Sequence, residues 1–282
     1  MIDPVNRDYK KNLAVAHSCS AGKCVVDVLK RHPGKEDVLL VCCDCLKKLA
    51  ADTSNAEVIA EEGCVDAILA SLAANAELPE ETLSIALSIL DTLCNHNKAL
   101  QTLVSRGTVT LLVNLLDTGN QKADVKIGCL KALAKLTKVQ KGVDDFIACN
   151  GSGPTLKAMN SLSLSPIPNN SDLAAALTSG CKLFARLAPK EDAIRTQLQV
   201  FDGTETCLQI MERSEDTQLN KICSKLLSNL CGSASIDSVI TNLKDSNLNL
   251  SIEKQEKMLG LLSSLTLDSS SSTGDPLLIF LT

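Results

Sequence analysis

Apolar residues along this chain recur in clusters with helical spacing, and the clusters themselves recur. Leu83, Ile85, Ala86, Leu87, Ile89, Leu90 and Leu93 give one broad apolar face at the three-to-four-residue spacing of an amphipathic helix. Pro79 suits a first turn, where a missing N–H costs nothing, and Glu80 and Glu81 favour the positive end of the helix dipole. The spacing predicts a long helix over 79–95, preceded by two shorter ones over 55–62 and 65–74 that flank Gly63. The arrangement then returns. Ile59, Gly63 and Ile68 reappear 44 residues later as Leu103, Gly107 and Leu112, and 44 later again as Ile147, Gly151 and Leu156. A fourth copy slips by 8 residues but keeps Gly203 and Leu208. A period of this length marks a stack of helical units rather than one compact core. The glycine's fixed place predicts that Gly107 and Gly151 end their first helices in a backbone conformation that favours glycine.

A second marker sets the register without the glycines. Each long third helix ends in a pair of apolar residues three apart: Leu46/Leu49, Leu90/Leu93, Leu133/Leu136, Phe184/Leu187, Leu227/Leu230 and Leu262/Leu265. The steps are 44, 43, 51, 43 and 35 residues. The long step places an insertion between the second and third helices of the fourth unit. Segment 161–171, with two prolines and two asparagines, is predicted to be that loop. Six units follow, at about 8–51, 52–96, 97–140, 141–189, 190–232 and 233–268, after an N-terminal extension over 1–7 and before a flexible tail over 269–282. The last unit is short and lacks the glycine, as terminal repeats often do.

Composition narrows the class. Of 282 residues, 45% are hydrophobic, but only four Phe and one Tyr are aromatic and Trp is absent. Leu, Ala, Ile, Val and Cys suit thin, closely packed helices. The net charge of −5 argues against a nucleic-acid partner, which calls for a basic excess or a dense basic patch. No apolar run approaches the roughly 18 residues that cross a bilayer, and the N-terminal apolar run 13–16 is too short for a signal peptide. These features predict a cytoplasmic chain with no membrane insertion. Thirteen cysteines, several inside apolar helical patterns, read as reduced, buried thiols.

Three-helix units of this length, each with a glycine followed by a long third helix ending in Leu-x-x-Leu, resemble armadillo repeats over 8–268. HEAT repeats are the nearest competitor, but they lack the separate short helix that 56–62, 98–106 and 144–150 supply here. The resemblance implies an all-α, right-handed superhelical solenoid of about six repeats, whose third helices line a groove for extended peptides. Nuclear-import receptors of this family carry a Trp four residues before an Asn near the end of the third helix. This chain has no Trp, and only Asn229 matches the Asn, with Lys225 in the Trp position. Recognition of nuclear-localisation signals is therefore not expected.

The groove positions carry their own signal. The residue before the last Leu, and the one four before it, read Asp44/Lys48, Ser88/Thr92, Lys131/Lys135, Lys182/Arg186 and Lys225/Asn229. Residues four apart share a helix face. At about 100° per residue, Leu133 and Leu136 fall on one side of their helix and Lys131 and Lys135 on the other. Such lysines read equally well as an ordinary solvated face. In the functional reading, Lys131, Lys135, Lys182, Arg186, Lys221, Lys225 and Asn229 form a partner-binding groove for an acidic, extended protein segment.

Catalytic chemistry is not in view. His17, His32 and His96 lie in no motif, and Gly151-Ser-Gly153-Pro154 lacks the Lys and Ser/Thr of a phosphate loop. The sequence predicts no enzyme activity, no cofactor and no metal. Cys42-Cys43-Asp44-Cys45 holds one C-x-x-C, where zinc sites pair two. Helix periodicity instead sets Val38, Leu39, Val41, Cys42, Cys45, Leu46 and Leu49 on one packed side. The leading expectation is a non-catalytic interaction scaffold. A second reading is a structural subunit of a larger cytoskeletal or ciliary complex, and a third is a cysteine-based metal or redox sensor.

Overall fold

In the computed structural model the described residues are 8–32, 35–74, 79–118 and 121–230. The expected N-terminal extension, sixth unit and tail lie outside them. The described residues form fifteen α-helices and no strand, in five successive trios. These are α1 (Tyr9–Ser18), α2 (Ala21–Arg31) and α3 (Glu36–Leu49); α4 (Thr53–Glu61), α5 (Cys64–Ala74) and α6 (Glu80–Leu93); α7 (Asn97–Ser105), α8 (Thr108–Asp117) and α9 (Ala123–Leu136); α10 (Gln140–Ala148), α11 (Ser152–Leu162) and α12 (Asp172–Leu187); and α13 (Asp192–Val200), α14 (Gly203–Arg213) and α15 (Thr217–Leu230). The chain forms two compact units, Met1–Leu162 with Ala175–Gly180, and Ser163–Ala174 with Cys181–Thr282.

In the first unit, like stacks on like. The third helix α3 packs on α6 and α6 on α9, while among first helices α4 packs on α7 and α7 on α10. The apolar pairs that close the third helices are buried in both units: Leu46/Leu49, Leu90/Leu93, Leu133/Leu136, Phe184/Leu187 and Leu227/Leu230. Burying such side chains contributes about 1.5–3 kcal/mol each. That is why these positions repeat so faithfully. Polar side chains then lock neighbouring trios. The buried Asn55 donates from Nδ2 to the carbonyl of Leu13 at 3.2 Å, and Thr82 Oγ1 donates to Glu36 Oε1 at 3.2 Å. His96 Nε2 lies 3.0 Å from the carbonyl oxygen of Ala50, which gives this half-buried histidine a structural task.

The turn between first and second helices uses one left-handed residue in every trio. Gly107 occupies it with φ +76°, as the sequence predicts. Gly151 does not. Asn150 takes the left-handed conformation at φ 52°, and Gly151 is needed because a Cβ there would sit 2.5 Å from the Phe146 ring. Asn is among the few non-glycine residues that tolerate this region, since its side chain bonds locally.

Two further readings are refined. The inserted loop is narrower than 161–171, because α11 runs to Leu162. It is also anchored rather than loose: Ile167 is buried, its N–H donates to the Arg213 carbonyl at 3.1 Å, and Arg213 donates to the Leu164 carbonyl. On α3 the packed side contains Cys42 and Cys43, whereas Val41 and Cys45 face outward. Periodicity correctly sets Leu39, Cys42, Leu46 and Leu49 on the packed side, but the helix is apolar around more than one face, and Val41 and Cys45 lie on the other.

Candidate interaction surface

Third helices carry the positions expected to line a groove, and the two units treat them differently. In the first unit, Lys48, Thr92 and Lys135 each make internal bonds. Lys48 bonds Asp44 at 2.8 Å on its own helix. Thr92 donates to the Ser88 carbonyl at 2.8 Å. Lys135 reaches across to α6, donating to the Asp91 carbonyl at 3.0 Å and standing 2.7 Å from its Oδ1 as an ion pair. Lys131, four residues earlier on α9, is half-buried. Lys135 therefore holds α9 against α6, a task the sequence did not reveal.

In the second unit, Lys182 on α12 and Lys221 and Lys225 on α15 are all exposed. Lys182 and Lys225 occupy the same register, five residues before the closing Leu187 and Leu230. Lys221 lies one helical turn from Lys225, on the same face. Asn229 donates from Nδ2 to the Ala185 carbonyl at 2.9 Å, so it fastens α15 to α12 and fixes the spacing of the lysines. Arg186 is half-buried, and burial lowers its pKa from the usual arginine value. The predicted residues of this unit thus divide into an exposed trio, Lys182, Lys221 and Lys225, and a bridging residue, Asn229.

Cysteines fill the interior of both units. Burial pushes the Cys43 thiol up to about 12, with Cys42 adding to the effect, and pushes Cys94 up to about 12. Cys181 and Cys223 bring their sulfurs to 3.4 Å between α12 and α15, and the Cys181 thiol is held well above its ordinary range by that contact and by burial. Among the described residues no three Cys, His, Asp or Glu side chains are disposed to hold a metal ion. Nor is any single helix there long and apolar enough to cross a membrane.

Residues 7–168 match the GAC ARM domain. That span covers more than half of the sequence and takes in the whole row α3, α6 and α9. The chain belongs to the GAC ARM domain family. No curated protein matches it. Among solved structures, this ARM chain is similar to engineered proteins whose crystal structures come from the Northeast Structural Genomics Consortium. One, 14% identical with a TM-score of 0.62, covers 87% of this chain and 98% of its own. Another, 17% identical with a TM-score of 0.66, covers 94% of this chain and 61% of its own. At such identities the likeness speaks to the helical-repeat fold alone. Within the ARM chain, the lysine trio of α12 and α15 lies beyond the matched residues.

Proposed function

We propose that this ARM chain is a non-catalytic scaffold for protein partners, and that the α12–α15 face of its second unit takes an extended, acidic segment. The observation that carries the reading is the exposed trio Lys182, Lys221 and Lys225 on two third helices tied together by Asn229. The contrast with Lys48 and Lys135, which spend their charge on Asp44 and Asp91, points to the second unit over the first. A surface of one sign raises the local concentration of an opposite-signed ligand and speeds its docking. Each exposed ion pair adds only about 0–1 kcal/mol, so binding rests on several pairs acting together along an extended guest.

The test is fluorescence anisotropy of a labelled Asp/Glu-rich peptide against the full chain at low and high salt. Binding that weakens with salt, and that Lys182→Glu with Lys225→Glu abolishes at unchanged thermal stability, supports the reading. Salt-independent binding that survives both reversals would place the working surface elsewhere.

A further inference from the structure

In the second unit two cysteines of neighbouring third helices touch. The sulfurs of Cys181 on α12 and Cys223 on α15 lie 3.4 Å apart. Both residues are fully buried, as is Cys207 of α14, whose thiol donates to Cys223. Cys129 of α9 is different: burial alone raises its thiol, as expected where cysteine packs like a small hydrophobe. Apolar packing does not call for a second sulfur at contact distance, nor for a third beside it.

The contact suits a bond. A disulfide holds its sulfurs about 2.05 Å apart, so the pair must close by about 1.4 Å. Each sulfur swings about one side-chain torsion, which covers that distance. The partners also differ in acidity. Cys223 accepts hydrogen bonds from Cys181 and Cys207, which stabilise its thiolate and lower its pKa. Cys181 is raised by its contact with Cys223 and by burial. The thiolate is the nucleophile of cysteine chemistry, so Cys223 reacts first and Cys181 second.

The neighbours in sequence decide what can reach the pair. Cys181 adjoins the exposed Lys182, and Cys223 lies between the exposed Lys221 and Lys225. The sulfurs are thus one residue in from an open helix face. Hydrogen peroxide, scarcely larger than water, needs only a small local opening to arrive there.

We propose that Cys181 and Cys223 form a peroxide-sensitive dithiol, which hydrogen peroxide converts to a disulfide that staples α12 to α15.

The Cys223 thiolate attacks one peroxide oxygen, the O–O bond breaks, and hydroxide leaves behind a sulfenic acid. That hydroxide takes up the proton that Cys223 released. The Cys181 thiol then attacks the oxidised sulfur, and the sulfenic oxygen departs as water. Two thiols and one peroxide give one disulfide and two waters. The staple joins residues 42 apart in sequence and adds a covalent tie where Asn229 supplies a hydrogen bond. Such a link narrows the unfolded ensemble, so the oxidised unit is the more stable one. None of this chemistry depends on what the lysine face binds.

The experiment treats the folded full chain with hydrogen peroxide, blocks remaining thiols with iodoacetamide, and maps tryptic peptides by mass spectrometry without reductant. Cleavage after lysine and arginine puts Cys181 in peptide 158–182, Cys223 in 222–225 and Cys207 in 196–213. The expected product joins 158–182 to 222–225 with loss of two hydrogens, and dithiothreitol reverses it. The oxidised chain melts at a higher temperature than the reduced one, and Cys181→Ala removes the link. Cys207→Ala keeps the link but slows its formation, because Cys223 loses one hydrogen bond. Exposed Cys19, Cys24 and Cys45 report that the oxidant is strong enough. Oxidation of those three with Cys181 and Cys223 both left free would overturn the proposal. So would a link that forms only after unfolding in urea, or a link from Cys223 to Cys207 in its place.

Discussion

Lys135 spans from α9 to α6 and meets Asp91 twice, once at the backbone carbonyl and once at the carboxylate. Both side chains are about three-quarters buried, with exposures of 24% and 27%, so solvent screens the pair only partly. Lys135→Ala should therefore destabilise the chain by about 1–3 kcal/mol, as for a charged hydrogen bond. Lys182→Ala, on an exposed face, should stay within about 0.5 kcal/mol. Urea unfolding midpoints decide it: equal shifts for the two variants would remove the tether.

Leu133 lies two residues before Lys135, about 200° round α9 from it, and is fully buried. Leu133→Ala should cost about 2–5 kcal/mol, the range for a large side chain truncated in a packed core. A loss no larger than that of Lys135→Ala would mean that side-chain tethers, and not the apolar row, dominate the stack.

The two turn glycines should fail differently. Gly107→Ala meets no atom within 4 Å but must adopt φ +76°, at a cost of about 1–2 kcal/mol. Gly151→Ala drives a methyl group into the Phe146 ring, an overpacking cost of about 1–3 kcal/mol. Adding Phe146→Leu should relieve part of the second loss and none of the first. Rescue of both, or of neither, measured by thermal melts of the four variants, contradicts the assignment.

Raising the pH should weaken the fold through its buried thiols. Cys43 and Cys94 are pushed up to about 12, and Cys64 and Cys129 are likewise raised by burial, from an ordinary value of 9.0. Above that ordinary value the unfolded chain releases protons that the folded chain keeps. Stability is therefore fully present below about pH 9 and falls as pH climbs towards about 12, by about 1.4 kcal/mol per pH unit for each such thiol. Urea midpoints under reducing conditions, from about pH 8 to about pH 10.5, should decline, and less steeply for Cys43→Ala with Cys94→Ala. A flat or rising profile across that window would show that these thiols do not control alkaline stability.

The trios were legible because two kinds of position repeat: closing leucines that must be buried, and turns that need a left-handed residue. What stayed hidden depends on neighbours far away in sequence. Asp91 lies 44 residues before Lys135, so their bond appears only once the register of two different helices is known. A closer reading of that register, two residues before one closing leucine and one before the next, would have paired the acid with the base. Gly151 misled because glycine has two uses, left-handed backbone and close approach, and only the Phe146 ring distinguishes them. Cys45 looked like core because its position is buried in the later trios, at Ile89, Ala132, Leu183 and Leu226. The candidate groove was legible as a list of lysines, but not which of them already had internal partners.

The bonds between trios have a mechanical consequence. Asn55 to Leu13, Thr82 to Glu36, His96 to Ala50, Lys135 to Asp91 and Asn229 to Ala185 each bridge 42–46 residues, one repeat and no more. Tension applied at the ends loads these links in series, so the weakest outer trio detaches while its neighbours hold. Each detachment frees about 44 residues, which extend to about 150 Å at 3.3–3.6 Å per residue. Pulled in an optical trap, the molecule should lengthen in a staircase of nearly equal treads.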